Sequence, residues 1–288
     1  MSLRPFSLAI GVILTLAAAA LASPLDDGIS LYRDKKYPAA REAFEKIATS
    51  DPKSAAACYY LGMTLRHRGD ATALDDAARW LAKAVELEPA NATYLADFGG
   101  TSLQLGEKTR SLSAVAKGRD AMIRAIELTP DNLDVREELM QFYARAPFFV
   151  GGSNAKAYAQ ASEIRQRFPQ RGLLAFVSLK ILEKKFDEAL ALCDDALKAS
   201  PDNYVVLYQI GRIAEQSDGH GARGLAALRR CLELPPPPNA PTHASIQFRL
   251  GKLAEKKGDA AAARAAYESA LKLEPEHHAA ASALATLK

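Results

Sequence analysis

Apolar residues recur at helical spacing along most of the chain, and the pattern is interrupted at regular intervals. "GDAAAARAAYESALKLEP", residues 258–275, runs from Gly-Asp through an Ala-rich stretch to Leu-Glu-Pro, and "GDATALDDAARWLAKAVELEP", residues 69–89, follows the same plan. Apolar helical stretches close on Pro52, Pro89, Pro130, Pro169, Pro201, Pro235 and Pro275, in steps of 32 to 41 residues. A period of that size marks an array of small repeated units rather than one globular core.

The last unit shows the plan most plainly. Leu250-Gly251, Ala254, Gly258, Ala263, Tyr267, Ala270 and Pro275 predict two helices of about a dozen residues joined by a turn. Gly251 and Ala263 carry almost no side chain, so the two axes can approach closely, with Leu250 and Tyr267 filling the space beside them. Gly258 suits the left-handed conformation that ends a helix, Asp259 can cap the next one, and Pro275 cannot continue it.

These positions resemble the tetratricopeptide repeat, a helix-turn-helix unit of about 34 residues. Gly28, Tyr37, Ala40, Phe44, Ile47 and Pro52 fit the same plan, as do Leu61-Gly62, Ala77, Leu81, Ala84 and Pro89 with three extra residues expected in their turn. A fifth unit offers Phe186, Ala189, Cys193, Ala196 and Pro201. Three units depart from the pattern. After Phe98-Gly99, Gly118 takes the small second-helix position and the turn is expected to be about seven residues too long. In the fourth, "APFFVGGSNAKA" interrupts between Leu139 and Ala157, Ala161, Ile164 and Pro169; in the sixth, "SDGHGARGLAAL" blurs the helix after Ile210-Gly211. The resemblance implies an all-α chain, an α-solenoid wound as a right-handed superhelix of about seven units over residues 23–275. Residues 276–288 would form the terminal capping helix that such arrays need.

Composition changes this picture only at the edges. Hydrophobic residues make up 49% of the 288, much of it Ala, the best helix former. A net charge of +3 gives no field for gathering nucleic acid, which opposes an RNA-reading helical array. At the N-terminus, Arg4, an apolar run from Leu8 to Ala22 and Ala20-Leu21-Ala22 before Ser23 read as a secretory signal over residues 1–22. Cleavage after Ala22 would make the protein periplasmic or secreted, with no stable membrane insertion afterwards. The alternative is an inner-membrane anchor over residues 8–22, although that run falls short of the roughly 20 residues that span a bilayer. Cys58, Cys193 and Cys231, an odd number on apolar helical faces, predict buried free thiols.

Candidate chemistry is sparse. His67, His220, His243, His277 and His278 have no Cys or carboxylate at ligand spacing, so no metal or cofactor site is expected. "GGTSLQLGEKT" at 99–109 lacks the strand that a phosphate loop requires, and Asn91-Ala92-Thr93 is a sequon relevant only in a eukaryotic secretory route. No catalytic residue is assigned; an enzyme using the repeats as a substrate cradle, or an accessory subunit of envelope maintenance, is the alternative reading.

What remains is surface. The resemblance implies that first helices line a concave groove, with residues beside the Leu-Gly pair pointing into it. Carried over by position, these are Tyr59, Met63 and Arg66; Arg136, Met140 and Tyr143; Tyr208 and Arg212; and Phe248 and Lys252. Tyr, Met, Phe and Arg are favoured at protein interfaces. The expected function is a non-catalytic scaffold that binds a peptide or helix of a cell-envelope protein in that groove, with no nucleic-acid partner. Two further features are read as structural. "PPPPNAP" at 235–241 is a stiff, lengthened turn between units, and Phe148-Phe149-Val150 is expected to fold back onto the array.

Overall fold

The computed structural model describes residues 23–287, so the segment read as a secretory signal lies outside the described residues. Among them are fifteen α-helices and no strand. The chain contacts divide into two compact units, one ending at Thr101 and one running from Ser102, where the repeat pattern alone suggested one continuous array.

The first unit holds α1 (Pro24–Arg33), α2 (Tyr37–Ser50), α3 (Ala55–Arg66), α4 (Ala71–Leu87) and the start of α5 (Ala92–Thr109). The second holds the rest of α5 and then α6 (Leu112–Leu128), α7 (Leu133–Arg145), α8 (Asn154–Arg167), α9 (Pro169–Leu182) and α10 (Phe186–Ala199). It continues through α11 (Tyr204–Gln216), α12 (Gly221–Glu233), α13 (His243–Lys256), α14 (Ala260–Leu273) and α15 (His278–Thr286). Helices pack in consecutive pairs, α1 with α2 and α3 with α4 in the first unit, α7 with α8, α11 with α12 and α13 with α14 in the second. Odd-numbered helices also touch: α1 with α3, and α7 with α9, α9 with α11, α11 with α13. Within each unit that pattern is an α-solenoid stack, in which the first helix of each hairpin contributes to a shared layer.

Local sequence explains most helix boundaries. Pro52, Pro89, Pro130, Pro201 and Pro275 stand two residues before Ser54, Asn91, Asn132, Asn203 and His277, whose side chains each accept a backbone N–H of the first turn of the next helix. The proline stops one helix and the cap starts the next. Pro169 behaves differently: it opens α9 directly after Phe168, without a side-chain cap.

Packing then follows the small residues. A Cβ on Gly62 would stand 2.7 Å from Leu81 Cγ, and one on Gly211 would stand 2.4 Å from Leu228 Cδ2. Gly258 has φ +78°, and Asp259 caps α14 through the Ala262 N–H. Phe44, Leu61 and Leu81 are fully buried in the first unit; Leu139, Ile213, Leu228 and Tyr267 are in the second. The three cysteines are buried and free, and burial pushes the Cys193 and Cys231 thiols up to about 12.

Four expectations need correcting. The three extra residues near Gly62 do not mainly lengthen a turn, because the turn spans only residues 67–70 and α4 begins further ahead of Ala77. The long connection after Gly99 is likewise helical: α5 runs to Thr109 and α6 starts at Leu112, with Gly118 buried. In the sixth hairpin α12 is an unbroken helix, because Gly224 takes the small position; a Cβ there would lie 2.2 Å from the Ala214 Cβ.

The fourth correction concerns Phe148 and Phe149, which do not fold back. They form one 3-10 turn with Val150 and are 87% and 68% exposed. Ser153 N–H donates to Tyr143 O at 2.8 Å, and a Cβ on Gly152 would clash with Ala146 O at 1.7 Å. The turn is therefore held in a fixed shape that points both rings outward.

Candidate binding cleft

The second unit contains an open cleft of about 1100 Å³. Its floor comes from α7, α9 and α11, the odd-numbered helices that touch one another. One wall is the Leu234–Pro241 segment between α12 and α13. Prolines restrict that segment, and two hydrogen bonds pin it: Tyr204 Oη donates to Pro241 O at 2.7 Å, and His243 Nε2 lies 2.9 Å from Leu234 O. Burial pushes the Tyr204 hydroxyl up to about 12. The sequence reading treated this segment as a spacer only; it is a fixed side of the cleft.

Charge in the cleft is unevenly matched. Glu137 of α7 is held by Arg171 of α9 in a two-pronged contact at 3.0 and 2.8 Å. Asp202 is held by Arg230 in the same way, at 2.8 Å through each prong. Both carboxylates are therefore already partnered. Arg212 of α11 has no carboxylate partner among the described residues: its Nη1 donates to the Gln209 amide oxygen at 2.9 Å. Burial, and then the nearby Arg249, pull the Arg212 pKa down from its ordinary value. Arg145, at the end of α7, is exposed and forms no ion pair among the described residues. Gln141, Gln170 and Gln216 line the same space with exposed amides.

The groove residues expected from sequence scatter over several environments. Met140 and Arg212 line the cleft. Arg136 and Tyr143 are 7% and 4% exposed; Arg136 Nε donates to Pro130 O at 2.6 Å and Nη1 to Gln160 at 3.0 Å, which ties the preceding turn to α8. Tyr208 lies under the Arg249 guanidinium, 4.7 Å from its ring centre, while Arg249 pairs with Glu215. Phe248 packs beside Tyr267 and His277, and Lys252 pairs with Glu255 at 2.9 Å.

In the first unit, Tyr59 stacks on Tyr94 at 4.5 Å and donates to Asp97 at 2.8 Å; Arg66 reaches the other Asp97 oxygen at 3.4 Å. Burial and the adjacent Asp97 carboxylate raise the Tyr59 hydroxyl far above its usual value. Met63 is half-buried on the same helix.

Sequence reasoning missed Gln141, Arg145, Arg171 and the proline wall. Gln141 and Arg145 are four residues apart on α7, one step round from Met140, so helical phase could have found them. Arg171 could not be found that way, because the repeat pattern assigned no position on α9 from which to count. Among the described residues, no group of three His, Cys, Asp or Glu side chains is arranged to hold a metal, and no helix is long and apolar enough to cross a membrane.

Stacked helical hairpins with an open cleft on their first-helix side define a helical-repeat scaffold. Tetratricopeptide repeat family models match residues 25–92 and 244–277, so the chain carries tetratricopeptide repeats in both segments. No curated protein matches its sequence. Among solved structures, a tetratricopeptide repeat protein from Parabacteroides merdae is similar in fold, with 14% identity and a TM-score of 0.63; the match covers 91% of this chain and 96% of that one. The C-terminal part of a repeat-containing protein from Cytophaga hutchinsonii matches with 13% identity and a TM-score of 0.52, covering 90% and 99%. At such identities the likeness establishes fold. Tetratricopeptide repeat proteins bind other proteins and are generally not enzymes.

Proposed function

We propose that this chain is a non-catalytic scaffold that holds a peptide or helical segment of a cell-envelope protein in the second unit's cleft. The observation that carries the reading is the cleft itself. It is larger than most small-molecule pockets, which run to about 1000 Å³, and it combines prearranged arginines, amides and a pinned proline wall. A rigid surface of this kind loses little conformational freedom when a flexible segment docks, so more of the contact energy appears as affinity. The envelope location rests on residues 1–22, whose pattern supports export and removal at Ser23.

Photo-crosslinking tests the reading directly. A crosslinking amino acid at Ser178, inside the cleft, should trap a partner polypeptide in cell-envelope extracts. The same group at exposed Arg229, on α12 outside the cleft, should trap none. Equal trapping at both positions, or trapping at Arg229 alone, would place the partner site elsewhere.

A further inference from the structure

We propose that the cleft selects an acidic, extended segment of its partner, whose carboxylates are received by Arg212 and Arg145. This rests on reading the cleft as the partner site, and it adds the chemistry of the partner. The inference comes from the mismatch of charge among the lining residues. Among the described residues, two of the cleft's arginines have no carboxylate partner, whereas both of its carboxylates already have an arginine.

Arg212 is the more telling of the two. It is half-buried on α11, and its one side-chain hydrogen bond goes to a neutral amide. A guanidinium drawn out of water without a counter-charge is poorly compensated. Arg249 adds repulsion from α13; Glu215 offsets part of it at a distance, but its carboxylate is in direct contact with Arg249 rather than with Arg212. An incoming carboxylate would supply the missing partner, and guanidinium can hold it with two parallel hydrogen bonds. Arg145 offers a second cation on α7, also within the lining.

The other lining groups suit an extended chain. Gln141, Gln170 and Gln216 present donors and acceptors that can meet the unpaired backbone groups of a strand-like peptide. The pinned proline segment limits the cleft on one side without rearranging. A cationic partner would meet unneutralised arginines, and a wholly apolar one would leave Arg212 buried and unpaired.

Fluorescence anisotropy with labelled peptides of equal length tests this, using alternating Glu-Ser, Gln-Ser and Lys-Ser sequences and the purified full chain. The Glu-Ser probe should bind saturably, and more weakly as salt is raised. The Gln-Ser probe should bind at least about tenfold more weakly, and Lys-Ser not at all. Arg212→Gln should weaken Glu-Ser binding by about tenfold or more. Arg145→Gln, at a more exposed site, should weaken it a few-fold. Circular dichroism should be unchanged in both variants.

Equal binding of Glu-Ser and Gln-Ser that Ser178 crosslinking maps to the cleft would overturn the acidic preference while leaving the cleft as a partner site. Glu-Ser binding that survives both arginine substitutions would put the acidic probe outside the cleft and overturn the assignment. No binding of any probe, alongside a partner trapped at Ser178, would reject acidity as the basis of recognition. A single-stranded oligonucleotide competing as well as Glu-Ser would show that the arginines respond to anionic charge in general, and would overturn the assignment to a protein segment.

Discussion

A Cβ added at Gly62 would sit 2.7 Å from Leu81 Cγ and 3.0 Å from Ala77 O, and the second of these is backbone that cannot rotate away. Replacing Gly62 with Leu should therefore force α3 and α4 apart and cost at least about 1–3 kcal/mol through overpacking. Thermal unfolding followed by circular dichroism checks this; an unchanged midpoint would contradict the close approach. Gly62 was legible in the sequence because Leu61-Gly62 precedes Ala77 and Leu81 at helical spacing. Gly224 was not, because neighbouring glycines in "SDGHGARGLAAL" hid which one mattered. Only contact with Ala214 identifies it. The same holds for Arg136 and Tyr143, whose types suit an interface but whose surroundings bury them.

At the scale of the element, the second unit's last hairpin depends on what covers it. Ala280 of α15 is fully buried, and Ala283, Leu284 and Leu287 pack against Ala254, Ala263 and Tyr267. Removing residues 277–288 should uncover that apolar face and speed amide hydrogen exchange in α13 and α14. Helices α7 to α10 should exchange as before, because each hairpin in such a stack depends chiefly on its neighbours. Uniform acceleration through the second unit would contradict local coupling. A further helix after Pro275 was readable from the sequence, and it is α15. The true reach of α4, α5 and α6 was not, since inserted residues can extend a helix as easily as a turn when their propensity permits it.

For the molecule as a whole, location is the matter that the N-terminal sequence speaks to. Protein recovered from the envelope should begin at Ser23, as read by N-terminal sequencing; an intact Met1 there would favour anchoring by residues 8–22 instead. The repeated prolines, the caps after them and the in-phase small residues determined an all-helical stack, because each acts within a few residues of chain. The cleft was decided only by tertiary structure. Arg145, Arg171, Arg212 and the 234–241 segment lie far apart in sequence, and whether an arginine is free depends on which carboxylate packing brings to it. Phe148 and Phe149 teach the same lesson, for their outward direction is set by Gly152 and by the Ser153–Tyr143 hydrogen bond rather than by their hydrophobicity. Periodicity records which face of a helix is covered, but the pairing of charges and the aim of a loop are fixed by neighbours that the local sequence does not name.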